Sequence, residues 1–414
     1  MRKHLAMSVA VLASAGAMNA TAAQDDWTIR AQEVHTAAAS GTLENGTVRV
    51  QGGKIAAVGG GRGGGETLEV FAVTPGMVDL AVGIDLGNVS VEQSTETVFD
   101  HSVAGALDLF NYRWRRVLES GVTTVMASPP DFDVFGGFAV CLKTGGEATL
   151  TARMVKPEAS LKAAIGGQPS SGNRPPRGSA PINFYYRRPT TRMGVEWHFR
   201  KAYYDTLAAH KRGGTQGTKE DARRDAVLGR TLSGDLPVAV KAMATQDVRT
   251  ACFLKEEFGI PRMILMDAVE AWREPQLVAR SGAAVCLPPF PASGRVPDGH
   301  LQDSYFLPLN APKVLHDLGI PIALSAHDGA EVGNRLANQV GFAMRGGLSF
   351  DAALAAVTLQ PARLVGIDDR VGSIEVGKDA DLVLWSGPPF EPSSRIVGVL
   401  LDGRLVVDPR DKNE

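Results

Sequence analysis

Residues 236–259, LPVAVKAMATQDVRTACFLKEEFG, decide the fold class. The first part is an apolar run of strand length, and the second part, QDVRTACFLKEEFG, is typical of a helix. Further strand-like runs follow the same scheme at GVTTVMAS (121–128), PRMILMDA (261–268), GAAVCLPP (282–289) and PIALSAHD (321–328). Such alternation predicts a parallel (β/α) barrel or a doubly wound sheet. We favour a TIM-like (β/α)8 barrel because of the chain length and the β segments at both ends.

The two chain ends have a different pattern from the middle. GTLENGTVRVQGGKIAAVGGG (41–61) alternates apolar and polar residues and predicts hairpin turns at Asn45–Gly46 and Gly52–Gly53. GKDADLVLWSG (377–387) and RIVGVLLDGRLVV (395–407) are short β runs followed by turns. We therefore predict a small composite β-sandwich from residues 24–74 and 369–414, with the barrel over residues 75–368.

The first 23 residues have the features of a signal peptide. A basic MRKH precedes an apolar run from Leu5 to Ala17 and the small-residue end NATAA. The interpretation is a protein exported to the periplasm or secreted, and a retained membrane anchor is the alternative. We expect no membrane span in the mature chain, because no later segment reaches about 20 consecutive apolar residues.

Charge and cysteine content exclude several functions. The formal net charge is −2, and loss of Arg2 and Lys3 with the signal peptide would make it −4. Such a balance argues against nucleic acid as a partner. Cys141, Cys252 and Cys286 are far apart and form no C-x-x-C pair. Neither a zinc knuckle nor a disulfide framework is therefore predicted.

Several landmark segments resemble those of a known enzyme superfamily. They include VTPGMVDLAVG (73–83), LKAAIGGQP (161–169), TTRMGVEWHFRKAYYD (190–205) and VTLQPARLVGIDDRVGSIEVGKDADLVLWSG (357–387). In these the chain resembles the amidohydrolase superfamily, and within it the imidazolonepropionase-like branch of secreted bacterial members. The resemblance implies a hydrolase of C–N bonds that uses one or two divalent metals to polarise a carbonyl and to activate water.

The metal ligands that the resemblance implies are replaced in this chain. The H-x-H pair of barrel strand 1 falls on Ala81 and Gly83. The histidines of strands 5 and 6 fall on Lys241 and Asp267, and the aspartate of strand 8 falls on His327, with Asp328 next to it. Because Ala and Gly cannot ligate a metal, we expect no binuclear centre and no cofactor. Zinc or another divalent metal is expected only if this alignment is wrong.

The substituted positions define the candidate site. By the resemblance, Lys241, Asp267 and His327 would lie together at the barrel mouth, where a paired ammonium and carboxylate would be tolerated. Our first hypothesis is a non-catalytic protein that binds a small-molecule ligand, or pairs with an active amidohydrolase subunit or with itself. The alternative is a metal-independent or mononuclear hydrolase of amide or peptide-like substrates, with His327 as base, Asp267 orienting it and Lys241 stabilising an oxyanion.

A few residues remain open in this scheme. Asp328 could restore a carboxylate after a one-residue slip, and a misaligned site could use it with Asp85 and His101. Lys162 matches weakly the position of the family's bridging lysine and is a candidate for substrate binding. Arg192 is a second candidate for substrate binding, because an arginine can clamp a carboxylate.

Overall fold

The computed structural model describes residues 26–60, 64–83, 92, 95–171, 189, 191–290, 306–327 and 335–410. The predicted signal peptide over residues 1–23 lies outside these residues. Asp85 and Asp328 also lie outside them. The described part of the chain contains sixteen strands and eleven α-helices. No helix in this part is both long and apolar enough to cross a membrane.

Both chain ends contribute to one seven-stranded sheet, the end sheet. The order across it is β16-β15-β14-β4-β1-β2-β3. The strands are β1 (Trp27–His35), β2 (Thr42–Gln51), β3 (Lys54–Gly59), β4 (Glu66–Pro75), β14 (Leu382–Trp385), β15 (Ile396–Leu401) and β16 (Arg404–Val407). Strand β14 pairs antiparallel with β4, which joins the two ends of the chain.

One of the two predicted hairpin turns is wrong. Gly52 and Gly53 form the turn between β2 and β3, both with positive φ, as predicted. Asn45 and Gly46 instead lie inside β2, which pairs with β1 on both sides of them, from Thr42 to Val50. Asn45 has a φ of 49°, and a Cβ at Gly46 would lie 2.8 Å from the Val34 side chain. The local turn signal is overridden because long-range pairing with β1 satisfies the backbone of this segment.

The middle of the chain forms the predicted barrel. Eight strands follow the order β13-β12-β11-β10-β9-β8-β7-β5 and curve into a nearly closed barrel. They are β5 (Met77–Val82), β7 (Val122–Ala127), β8 (Phe135–Lys143), β9 (Met154–Ala164), β10 (Val238–Lys241), β11 (Met263–Met266), β12 (Ala284–Leu287) and β13 (Ile322–Leu324). The short strand β6 (Thr97–Ser102) pairs with β8 outside this path.

One barrel strand departs from the parallel arrangement. Strand β8 is antiparallel to both β7 and β9, whereas β9 to β13 are all parallel. Only residues 128–134 connect β7 to β8. A parallel crossover needs about a dozen residues or more, so this connection can only reverse the chain.

Helices connect the other strands and cover the barrel. They are α1 (Arg113–Glu119), α2 (Leu150–Arg153), α3 (Gln168–Ser171), α4 (Arg192–Lys211), α5 (Lys219–Ser233), α6 (Thr245–Phe258), α7 (Pro275–Ser281), α8 (Ala311–His316), α9 (Leu336–Arg345), α10 (Phe350–Ala355) and α11 (Leu359–Val365). Thr191 caps α4 through the Gly194 amide, and Thr218 forms a capping box with Asp221 at the start of α5. These caps satisfy amides that have no partner within the helix.

Small and medium apolar side chains fill the barrel. A buried cluster combines Val78, Leu80, Met126, Ala139, Cys141, Ala159, Ala239, Ile264, Met266, Cys286 and Ala323. All three cysteines of the chain are buried and free, and burial raises the pKa of the Cys141 thiol to about 12. The barrel is therefore a packed core, and polar side chains gather at the ends of its strands.

A buried ion cluster fixes the end sheet to the barrel. Lys143 Nζ, on β8, lies 2.6 Å from Asp381 Oδ2, 3.0 Å from Asp379 Oδ2 and 3.1 Å from Asp402 Oδ1. Burial opposes the charged form of Lys143, but the three aspartates outweigh it and raise the pKa. We call these four residues the sheet–barrel cluster. It joins residues more than 200 positions apart through one lysine.

Candidate functional site

Five charged or titratable side chains follow one another along the barrel mouth. Lys241 is the last residue of β10, Asp267 directly follows β11, and His327 lies three residues after β13. Lys162 is near the end of β9, and Asp131 lies in the loop after β7. All five come from the end of the barrel at which strands β7, β9, β10, β11 and β13 finish, which is where TIM-barrel active sites lie. We call these five residues the mouth row.

Ion pairs connect the mouth row from end to end. Lys162 Nζ lies 2.5 Å from Asp131 Oδ1, and the other oxygen of Asp131 lies 2.9 Å from Lys241 Nζ. Lys241 Nζ is also 2.9 Å from Asp267 Oδ2, and Asp267 Oδ1 is 2.9 Å from His327 Nε2. Base and acid therefore alternate along the row, and each carboxylate lies between two bases.

The alternation favours the charged forms of Lys241, Asp267 and His327. Burial opposes the charged form of Lys241, but Asp131 and Asp267 outweigh it and raise the pKa. Burial likewise would raise the pKa of Asp267, yet Lys241 and His327 hold it well below its usual range. For His327, burial would lower the pKa, but the Asp267 carboxylate outweighs it and raises the pKa above 6.5. A lysine with a raised pKa is an ammonium at neutral pH and cannot ligate a metal.

Two members of the row have unusual backbone conformations. Asp267 has a φ of 51° and His327 a φ of 58°, which is the left-handed region that non-glycine residues rarely occupy. The His327 amide donates to Ser325 Oγ at 3.0 Å, which helps to hold this conformation. Strained residues of this kind concentrate at functional sites. The strain therefore marks the ends of β11 and β13 as places where side-chain direction matters.

A buried aspartate closes the barrel beside the row. Asp79, on β5, is 1% exposed. It accepts hydrogen bonds from Ser325 Oγ at 2.6 Å, the Ala326 amide at 2.8 Å and the Ala81 amide at 3.0 Å. These bonds connect the first barrel strand to the segment after the last one. Burial raises the pKa of Asp79, and the hydrogen bonds from Ser325 and Ala326 offset part of that rise.

The residues proposed from the sequence have different surroundings. The structure brings Lys241, Asp267 and His327 into direct contact, and Lys162 joins them through Asp131. Arg192 instead pairs with Asp247 at 2.9 Å, which connects the first turns of α4 and α6. Asp328 lies outside the described residues, so its role stays a prediction.

Asp131 is the site residue that sequence reasoning missed. It lies in PPDFD (129–133), directly after the strand GVTTVMAS. An acidic residue just after a barrel strand is a signal for the mouth, because the ends of the strands meet there. The amidohydrolase resemblance assigns no ligand to this position, so the sequence alone does not place Asp131 in the site.

The residues at the positions where the resemblance predicts metal ligands do not fit a metal centre. The Ala81 amide is bound to Asp79, and a Cβ at Gly83 would meet nothing within 4 Å. Lys241 offers a charged ammonium rather than a lone pair. Across the residues that the structure describes, no group of three or more His, Cys, Asp or Glu is arranged to hold a metal. We therefore derive no chemical step through a metal.

The alternative site of Asp85, His101 and Asp328, which a shifted alignment would predict, has only His101 in the described part of the chain. His101 is 65% exposed, and its Nδ1 lies 3.0 Å from Asp100 Oδ1. It lies at the end of β6, outside the main barrel path. Asp85 and Asp328, the other two members, lie outside the described residues.

Comparison with known proteins gives a family match and several similar proteins. The model of the amidohydrolase family matches residues 200–406. The amidohydrolase tasK of Hapsidospora irregularis is 28% identical over 236 residues, which are 53% of this chain and 24% of that protein. The urease subunit alpha of Yersinia pestis (strain Pestoides F) is 35% identical over 119 residues, which are 24% of this chain and 21% of that subunit. This chain thus spans less than a quarter of the curated relatives that it matches.

A solved structure extends the similarity over the whole fold. The crystal structure of an amidohydrolase from Thermotoga maritima MSB8 superposes with a TM-score of 0.76 at 26% identity. The match covers 92% of this chain and 99% of that one. The family match spans half of the chain, and the barrel and end sheet agree with it. The chain therefore belongs to the amidohydrolase family.

Proposed function

We propose that this chain is a non-catalytic member of its family, of the imidazolonepropionase-like branch, whose barrel mouth binds a small anionic molecule. One observation carries the proposal: Lys241 Nζ lies 2.9 Å from both Asp131 and Asp267. The Lys241 ammonium thus stands at the end of β10, where the resemblance predicts a metal-ligating histidine. It also neutralises charge on the two carboxylates beside it. The substitutions at Ala81 and Gly83 agree with a site that has lost its metal.

The charge of the mouth row favours an anion. The row contains three bases and two acids, so its net charge is +1 when His327 is protonated and zero when His327 is neutral. Lysine has three N–H donors. Within the described residues, Lys241 directs two of them at carboxylates and Lys162 directs one. The remaining donors of a partly buried cation are best satisfied by an anionic ligand such as a carboxylate.

Metal content and anion binding together test this proposal. The purified chain is exposed to excess zinc, freed of unbound ion and measured by elemental mass spectrometry, and we expect far less than one equivalent. Thermal unfolding is then followed with succinate and with the neutral succinamide at matched ionic strength. We expect stabilisation by succinate alone. The stabilisation should be lost in Lys241→Gln and Lys162→Gln but kept in Lys313→Gln, which changes an exposed lysine of α8. Stoichiometric zinc, or equal stabilisation by succinamide, would contradict the proposal.

The His327–Asp267 pair supports a second candidate function, metal-independent hydrolysis of amide or peptide-like substrates. Asp267 holds Nε2 of His327, which leaves Nδ1 available for proton transfer at the mouth. This candidate requires turnover by the isolated chain across a panel of amides and dipeptides. Turnover should disappear in His327→Ala and persist in His316→Ala, a change at an exposed histidine at the end of α8. No turnover above the His327→Ala background would exclude this candidate.

We also propose that the chain works outside the cytoplasm, after removal of residues 1–23. The support is the order of basic, apolar and small residues at the N-terminus. Expression of the full-length chain in a bacterium, followed by osmotic-shock fractionation and N-terminal sequencing, tests it. A chain that keeps Met1 and stays in the cytoplasmic fraction would contradict export.

A further inference from the structure

The barrel has a seam between its first and last strands. The ladder of paired strands ends at β5 on one side and at β13 on the other, and the described residues of these two strands do not pair with each other. Asp79, on β5, lies at this seam and accepts hydrogen bonds from Ser325 Oγ at 2.6 Å and from the Ala326 amide at 2.8 Å. The Asp79 carboxylate therefore joins two strand ends that backbone hydrogen bonds do not join.

The Asp79 carboxylate is held by three donors that carry no charge. They are the Ser325 hydroxyl and the amides of Ala326 and Ala81. Burial of a carboxylate costs free energy, and burial raises the pKa of Asp79 accordingly. An asparagine would have the same shape, but its NH2 group would face a donor. The position therefore needs a side chain that only accepts hydrogen bonds, as an ionised carboxylate does.

Ser325 connects Asp79 to the backbone of His327. The Ser325 side chain is fully buried, and its hydroxyl donates its proton to Asp79 Oδ1. The oxygen of the same hydroxyl accepts the His327 amide at 3.0 Å. Because a serine hydroxyl has a single proton, the bond to the carboxylate leaves only lone pairs for the His327 amide and so fixes the direction of both bonds. We call Asp79 and Ser325 the seam clamp.

The seam clamp holds His327 in the conformation that places its ring at the mouth. His327 has a φ of 58°, a left-handed conformation that costs free energy for a residue with a Cβ. The direction of a side chain depends on the φ and ψ of its own backbone, so a return to ordinary φ would turn the ring. In the held conformation, Nε2 lies 2.9 Å from Asp267 Oδ1. The protonation of this ring also decides whether the net charge of the mouth row is +1 or zero.

We propose that Asp79 and Ser325 are positioning residues of the barrel mouth, which act through the His327 backbone to hold the His327 ring against Asp267. Asp79 is 1% exposed and Ser325 is fully buried, so their effect on a ligand passes through the direction and charge of the imidazole. In its consequence for anion binding, this inference rests on the proposed function. The position of the ring can be measured without any ligand.

Ser325→Ala tests the seam clamp without changing any charge around the His327 ring. The charged groups that act on the ring are Asp267, Lys241 and Asp79, and all three remain in this variant. NMR titration of the ring, whose signal is identified by its absence from His327→Gln, should give a midpoint about one pH unit below that of the unmodified chain, because the bond to Asp267 is weakened. The dissociation constant of succinate at pH 6.5 should rise about two- to fivefold, because fewer molecules carry the imidazolium charge.

Ser281→Ala is the matched control. Ser281, at the end of α7, is 7% exposed, and its hydroxyl donates to the Val278 carbonyl at 2.8 Å and accepts the Ala283 amide at 3.2 Å. The control thus removes the same kinds of bond as Ser325→Ala, but before the start of β12, at the end of the barrel opposite the mouth. We expect it to lose comparable stability in urea and to leave the His327 midpoint and the succinate constant unchanged. Ser325→Cys, whose thiol is a weaker donor and acceptor, should lower the midpoint by a smaller amount.

The two measurements separate this inference from the proposed function. An unmodified chain that does not bind succinate contradicts the proposed function, and the titration midpoint still decides the role of the seam clamp. A midpoint that is unchanged in both Ser325→Ala and Ser325→Cys overturns the inference, because the ring then keeps its place without the clamp. An equal shift in Ser281→Ala overturns it as well, since the effect would then follow from a general loss of stability.

Discussion

The mouth row and the sheet–barrel cluster are both built from lysine and aspartate, yet they differ in how completely they are closed. In the sheet–barrel cluster, Lys143 directs its ammonium at three carboxylates. Lys54 and Arg370 add two more cations on Asp379, and the Asp402 amide donates to Asp381. Three bases then face three acids. The mouth row has three bases for two acids, and N–H donors of Lys162 and Lys241 stay available for a ligand.

Exposure at the centre of each cluster sharpens the difference. The side chains of Lys143 and Asp381 are at most 3% exposed, although Asp402 beside them is 41% exposed, whereas those of Lys241, Asp131 and His327 are 16%, 18% and 35% exposed. Positive φ angles occur in both clusters, at Asp267 and His327 in the mouth row and at Asp402 in the sheet–barrel cluster. A closed and neutral cluster stabilises the fold, because no polar group is left unpaired. An open row with more bases than acids contributes less stability and is available to a ligand.

The largest loss of unfolding free energy is expected in the sheet–barrel cluster. Lys143→Met should leave the buried Asp379 and Asp381, with the partly exposed Asp402 beside them, without their common cation, and breaking a buried pair costs about 3–5 kcal/mol. Urea unfolding followed by circular dichroism measures it. Lys313→Met serves as the control, since its exposed pair with Asp317 is expected to contribute about 0–1 kcal/mol. Equal losses in the two variants would remove the distinction between closed and exposed pairs.

A smaller loss of unfolding free energy, which a small anion should restore, is expected at the barrel mouth. Asp131→Ala should cost about 1–3 kcal/mol, because Lys162 and Lys241 lose the carboxylate between them. Acetate should then occupy the space. At about ten times its dissociation constant, a bound ion restores about 1.4 kcal/mol. Asp381→Ala is the matched variant in the closed cluster and should show no rescue. Rescue of both variants, or of neither, would contradict the open character of the mouth.

The smallest loss of unfolding free energy is expected at the Asp267–His327 pair, and it depends on pH. Asp267→Asn removes the partner that raises the pKa of His327, and we expect a loss of about 1–2 kcal/mol, at the low end because His327 is 35% exposed. The raised pKa of His327 gives stability that is complete below about pH 6.5 and is lost as the pH rises through its folded value. The lowered pKa of Asp267 gives stability that is present above about pH 3.9.

The difference in unfolding free energy between the unmodified chain and Asp267→Asn should therefore be largest between about pH 4 and 6.5 and decline above that range. Chemical denaturation at several pH values measures it. NMR titration of the His327 ring follows the same pKa directly, and in Asp267→Asn it should move toward lower pH. A difference that grows from pH 6 to pH 8 would show that His327 is not the group responsible.

Much of the architecture could be predicted from local patterns. The segments GVTTVMAS, PRMILMDA and PIALSAHD each contain a barrel strand, and the apolar runs at both ends pair in one sheet. These predictions succeed because a strand buried on both faces must be continuously apolar. The reversed strand β8 was not predicted, although the short connection at 128–134 carries the information. Its apolar sequence does not distinguish a parallel from an antiparallel neighbour.

The candidate site, too, could be predicted from the sequence only in part. The sequence itself shows that Ala81 and Gly83 stand where the resemblance predicts an H-x-H pair. Placing Lys241, Asp267 and His327 at strand ends needed only the barrel pattern and the resemblance. Arg192 could not be assigned, because its partner Asp247 is 55 residues away in the chain. Its pairing depends on how α4 packs beside α6.

Local sequence features identify which segments are strands, which residue types stand at their ends, and that residues 81–83 contain no histidine. Those features depend on side-chain chemistry and on periods of two or 3.6 residues, which are local. Only the tertiary structure decided that Asp131 bridges Lys162 and Lys241, that Lys143 joins the end sheet to the barrel, and that α4 keeps an apolar face in solvent. Each of these depends on distances between residues far apart in the chain, and such distances exist only after the barrel has closed.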